Sequence, residues 1–162
     1  KPLFGEAALG LTPVEFRKLI ATLNRSRKRD RQRRLLMIRL ELALPNGNRL
    51  TMTDDVTVEH ILPKNGGGVW NETFPDAVRR NDLANLGGNQ ILTTDEQNKR
   101  AGAKSYAEKR KIYFNTPQAP VHQLTKDIAG LEQWNPDVIE DRQERLLEAL
   151  CSDWGLRLAA AG

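Results

Sequence analysis

The chain lacks most of the side chains that brace small folds through covalent or metal cross-links. Cys151 is the one cysteine, so no internal disulfide can form and Cys-x-x-Cys zinc ribbons are excluded. Any bound metal would have to use oxygen and imidazole ligands. Histidine is nearly as scarce, with His60 and His122 alone. No stretch reaches the roughly eighteen consecutive apolar residues that a membrane span requires, and no charged-then-apolar leader opens the chain. These absences predict a soluble, cytoplasmic protein without a membrane partner. An initiator methionine is also missing, and the opening Lys1-Pro2-Leu3-Phe4-Gly5 is expected of a C-terminal piece of a longer protein, whose remainder would hold any regulation.

What is present suffices for one core. A chain of 162 residues, 39 % of them hydrophobic, is long enough for one domain and hardly for two, so residues 1–162 are read as a single unit. The net charge of +4 conceals an asymmetry: residues 25–34, RSRKRDRQRR, hold seven Lys/Arg against Asp30, which puts +6 in this run and −2 in the rest. Arg25, Arg27, Lys28, Arg29, Arg31, Arg33 and Arg34 can form a patch for a polyanion, or simply a solvated helix face.

Helix starts are written into the sequence. Thr12-Pro13-Val14-Glu15 combines an N-cap hydroxyl, a proline at the first helical position and a glutamate three residues after the cap, predicting a helix to about Leu23. Arg31 to Leu44 is read as the next helix, although Ile38, Leu40, Leu42 and Leu44 alternate as a strand would. Pro45 to Asn48 forces a turn. Val56 to Leu62 is rich in β-branched residues and is stopped by Pro63, which predicts a short strand. A long, partly helical connection follows from Gly66-Gly67-Gly68 through Trp70 to Gly88, and a second strand is expected at Gln90–Thr93. Thr94-Asp95-Glu96-Gln97 and Ser105-Tyr106-Ala107-Glu108 are capping boxes that start two more helices. Asn135-Pro136 begins the last, where Ile139, Leu146, Leu150 and Trp154 form one apolar stripe read as core.

His122 lies in a Pro-rich connection and is read as structural. His60 ends a strand beside an acid, just ahead of a proline and three glycines, and the residues downstream give it company. Val58-Glu59-His60-Ile61-Leu62-Pro63 followed by Asn89-Gln90-Ile91-Leu92-Thr93-Thr94-Asp95-Glu96-Gln97-Asn98 resembles the ββα-metal motif of HNH endonucleases. That motif has an acid and a histidine ending one strand, an asparagine opening the second, and a histidine or asparagine in the helix after it. The interval from Asn89 to Asn98 is similar to that in the HNH domain of RNA-guided CRISPR nucleases. More of the chain resembles the C-terminal domain family of GmrSD-type modification-dependent restriction enzymes. The stretches that carry this likeness are Glu59 to Pro63, Leu86-Gly87-Gly88-Asn89, Ser105 to Arg110 with Tyr106 in an aromatic slot, and Trp134, Ile139, Arg142 and Trp154. Leu-Gly-Gly-Asn has one glycine more than the family's usual Leu-Gly-Asn. SspE-type nucleases of phosphorothioate-sensing phage defence carry a similar domain behind an NTPase-like one.

The resemblance implies an α+β, mainly helical fold with a ββα-metal hairpin-helix element, at about residues 54–104, embedded in a helical domain. It implies a metal-dependent DNA endonuclease, a nickase of prokaryotic restriction or antiviral defence, with an NTPase-like regulatory domain as partner. The residue types suit the chemistry. Neutral imidazole, with a pKa of about 6.5, can take the proton of an attacking water, a role typically worth about 10² to 10⁴ in rate, and this is assigned to His60. Glu59 and the Asn98 carbonyl would supply oxygens to Mg²⁺, with Mn²⁺ as a substitute. Asn89 would orient the imidazole or pin the loop beneath it. Neighbours on a regular strand point to opposite faces, so Glu59 and His60 share a site only if the strand twists or ends there. Lys99, Arg100, Lys104 and Arg110 follow the motif where they can reach duplex phosphates, joining the basic run in backbone contacts to double-stranded DNA, or else form solvated helix faces. The alternative is a non-catalytic nucleic-acid-binding module with a degenerate HNH element.

Overall fold

The computed structural model describes residues 18, 30–50, 55–65, 67–117 and 119–153. Apart from Lys18, the helix expected from Thr12 lies outside them, as do Arg25, Arg27, Lys28 and Arg29 of the basic run, and Trp154. Among the described residues there are six α-helices and one two-stranded antiparallel sheet, the mainly helical α+β class expected.

Helix α1 is Asp30–Ala43, so the ambiguous alternation of Ile38 to Leu44 resolves as helix. It ends in a turn where Asn46 takes φ +59°, a left-handed conformation that asparagine tolerates. Strand β1 is Thr57–His60. A 3₁₀ turn at Gly68–Trp70 and helix α2, Ala77–Ala84, occupy the long connection. A second 3₁₀ turn, Gly87–Asn89, leads into β2, Gln90–Thr93. Helix α3, Asp95–Ala101, and helix α4, Tyr106–Asn115, begin at the two expected capping boxes, and in both the reciprocal side-chain bonds are made. Helix α5 is Gln123–Lys126 and α6 is Pro136–Asp153. No described helix is long and apolar enough to cross a membrane.

The hairpin divides the core. Its register pairs Val58 with Leu92 and Glu59 with Ile91, and β2 is buried on both faces. Because side chains alternate, Ile91 joins one cluster, with Ile61, Trp70, Tyr113, Trp134 and Ile139. Leu92 joins the other, with Leu36, Met37, Leu40, Leu124, Leu146 and Leu150. Ile139, Leu146 and Leu150 are thus core, as their spacing required; each such fully buried aliphatic side chain contributes about 1.5–3 kcal/mol. Helix α1 is locked in place by the buried carboxylate of Glu41, which accepts from the backbone N–H groups of Asn48, Gln123 and Leu124 and from the Asn48 amide. That lock fixes one wall of the site described next.

Candidate active site

The two faces of the hairpin have opposite characters. On the side of α1, Val56, Thr57, Val58 and His60 border a cleft of about 470 Å³ whose remaining lining is Arg31, Arg33, Arg34 and Lys64, with no carboxylate in the lining among the described residues. Three members of the basic run thereby meet the strand histidine. The Nε2 atom of His60 is buried and meets no hydrogen-bond partner among the described residues. Burial, reinforced by the positive charges of Lys64, Arg33 and Lys109, pushes the imidazole pKa down to about 3, so the ring is neutral across the physiological range and keeps a lone pair.

Glu59 turns the other way. Its Oε1 accepts from Lys109 Nζ at 2.6 Å and from the Tyr113 hydroxyl at 2.9 Å, both from α4. Lys109 also donates to the backbone carbonyl of His60 at 2.9 Å. Glu59 and Lys109 are buried. Burial pushes the Glu59 carboxyl above the ordinary range and the Lys109 ammonium below it, each against the attraction of the other. Burial and the neighbouring Glu59 carboxylate also raise the Tyr113 phenol, which stays a donor.

Asn89 is fully buried and its amide is saturated. Oδ1 accepts from Leu62 N at 2.8 Å and Trp134 Nε1 at 3.0 Å, while Nδ2 donates to Leu62 O at 2.9 Å and Ala84 O at 3.0 Å. Of the two roles expected for it, these bonds correspond to pinning of the loop after β1, and they occupy both ends of the amide. The loop carrying Asn89 is clamped by Arg142, whose Nη1 donates to the carbonyls of Gly88 and Gln90 at 2.6 and 2.8 Å, Nη2 to Leu124 O, and Nε to Asp127. The added glycine has a physical reason: a Cβ on Gly88 would lie 2.2 Å from Ile139 O and 2.7 Å from Gln143 N, so only glycine lets the loop meet α6.

Asn98, on α3, donates from Nδ2 to Thr57 Oγ1 and Val58 O, each at 3.3 Å. Its amide therefore lies against β1, and Oδ1 remains outside these bonds. Thr57 itself lines the His60 cleft, so the Asn98 amide lies beside that cleft. The strand thus brings His60 to the basic run, with Asn98 against its edge, and turns Glu59 to α4, while Asn89 is held in the loop. The Mg²⁺ expected at Glu59 does not fit the donor set as arranged, because an ammonium already lies 2.6 Å from the carboxylate. Among the described residues no group of three or more His, Cys, Asp or Glu could hold a metal ion.

The cations expected to follow the motif sit on the surface with local partners. Lys99 pairs with Asp95 and Arg100 with Glu96 one helical turn away. Arg110 donates to Ala129 O and lies over the Tyr106 ring. Lys99, Arg100 and Lys104 border a shallow surface with Lys111, separate from the His60 cleft. His122 is buried, consistent with its structural reading.

Lys64, Lys109 and the full reach of Arg142 escaped the sequence reading. A usable signal existed for two of them. Lys109 falls on the buried stripe Tyr106, Lys109, Tyr113 of α4, and Arg142 on the stripe Ile139, Arg142, Leu146 of α6. A cation at helical spacing among apolar residues marks a buried pair.

The model of the C-terminal domain of GmrSD restriction endonucleases matches residues 13–149. No curated protein and no solved structure matches significantly. With the match running from before α1 into α6, and so across both walls of the cleft, the chain belongs to the family of GmrSD restriction endonuclease C-terminal domains.

Proposed function

We propose that this chain hydrolyses phosphodiester bonds of double-stranded DNA as an HNH-type nuclease, with His60 as the general base. One observation carries the reading: a neutral strand-end imidazole borders a cleft lined by Arg31, Arg33, Arg34 and Lys64. Cations so arranged attract a backbone phosphate and offset charge that grows as it is attacked. The water oxygen bonds to phosphorus, its proton passes to the imidazole, and the bond to the departing 3′-oxygen breaks. An imidazole whose pKa burial and then neighbouring cations hold at about 3 is a weak proton acceptor, and the negative charge of a docked phosphate opposes the fields of Lys64 and Arg33 and raises it. Family membership supports a restriction role, and one site per chain makes single-strand nicks the elementary product.

Supercoiled plasmid incubated with the protein and Mg²⁺ or Mn²⁺ relaxes to open circles under this reading, and His60→Ala leaves it supercoiled. Equal relaxation by the variant would refute it. The committed side chains of Glu59 and Asn89 favour one rival, a non-catalytic DNA-binding module, which retains duplex binding and cuts under no divalent metal.

A further inference from the structure

We propose that Lys109 is the positioning residue of the His60 site and the standing counter-ion of Glu59, so that Glu59 is not a metal ligand in this chain. Its kinetic arm rests on the nuclease reading above; its structural arms do not. Lys109 reaches from α4 to two consecutive residues of β1, donating to Glu59 Oε1 at 2.6 Å and to His60 O at 2.9 Å. The ammonium is fully buried, and Tyr113 donates to the same carboxylate oxygen at 2.9 Å. A divalent cation on that oxygen would have to expel a buried ammonium and a hydroxyl at once. The pair instead does mechanical work: it ties the last carbonyl of β1 to a rigid helix where the strand would otherwise fray, and so fixes the direction of the ring that borders the cleft. A misplacement of about 1 Å at a reacting group can cost about 100-fold in rate.

The test uses three readouts on the full chain. In a long-range ¹H–¹⁵N spectrum of protein labelled at histidine, two imidazoles report, and His122 serves as the internal control. Lys109→Met is expected to shift the His60 ring signals, to leave those of His122 in place, and to lower kcat for plasmid nicking by about 100-fold with little change in KM. Mn²⁺ titrated by calorimetry into wild type and Glu59→Gln is expected to bind both alike, or neither. If Glu59→Gln is too unstable, Glu59→Gln/Lys109→Met leaves no buried charge without its partner and carries the same titration. Unmoved His60 signals in Lys109→Met overturn the positioning role. A loss of Mn²⁺ affinity of about tenfold or more on removing the Glu59 charge overturns the counter-ion assignment. A wild type that cuts no DNA sinks the nuclease reading while the spectrum and the titration still decide the role of Lys109.

Discussion

Two neighbouring residues of one strand, Glu59 and His60, sit in environments of opposite design. Behind Glu59 a dense network is made: the carboxylate is met by Lys109 and Tyr113, the Asn89 amide by four bonds, and the Arg142 guanidinium by four carbonyls and Asp127. Around His60, four cations converge, and among the described residues no acid joins the lining and a buried ring nitrogen has no hydrogen-bond partner. A saturated network stabilises and fixes geometry. A surface that concentrates one sign of charge stores repulsion that a polyanion relieves. The alternation of a strand lets four residues do both, with the sealed face serving as the template on which the open face is held.

Substitutions on the two faces should therefore separate stability from binding. The largest effect on stability is expected at Arg142→Met, which strands the buried carbonyls of Gly88, Gln90 and Leu124 and should cost about 3–5 kcal/mol by urea denaturation. Gly88→Ala, forced against the α6 backbone, should cost about 1–3 kcal/mol in the same measurement. Thr94→Ala, which removes the N-cap of α3, should cost about 1 kcal/mol. On the open face, Arg31→Ala/Arg34→Ala should stay within about 0.5 kcal/mol of the parent. Its log-log salt slope for duplex binding should fall in magnitude by about 1.8 if each side chain meets one phosphate. A pair that lost stability instead would erase the contrast between the faces.

Acid gives a finer probe of the sealed side. Burial raises the Asp127 carboxyl, but Arg145 and Arg142 more than offset this and hold it below the usual aspartate range. Because the folded pKa is depressed below the unfolded value of about 3.9, the stabilisation is complete above that pH and is lost as pH falls through the folded value. Asp127→Asn should be less stable than the parent at neutral pH, and the two should converge below about pH 4. His60 pulls the same way: its neutral form is favoured by the fold, so stability drops as pH falls from about 6.5, where the unfolded imidazole begins to take its proton.

Much of the frame was legible because the signals were local. Capping boxes at Thr94 and Ser105 and the bounds of β2 depend on a few consecutive residues, and the structure has them as read. The period-two rule even flagged that Glu59 and His60 face apart. What pairs with Glu59 was not legible, because Lys109 lies 50 positions away: the helical stripe marks that lysine as buried but not which acid it meets. Local reading also could not place the cations: Arg31, Arg33 and Arg34 line the cleft, whereas Lys99, Arg100 and Arg110 lie elsewhere on the surface.

The most direct measurement sets duplex affinity beside nicking rate for His60→Ala. If a neutral imidazole in a cationic cleft does the cutting, the variant should fold, bind DNA like the parent, and nick at least about 100-fold more slowly. Undiminished nicking by a folded His60→Ala protein would contradict that account at its root.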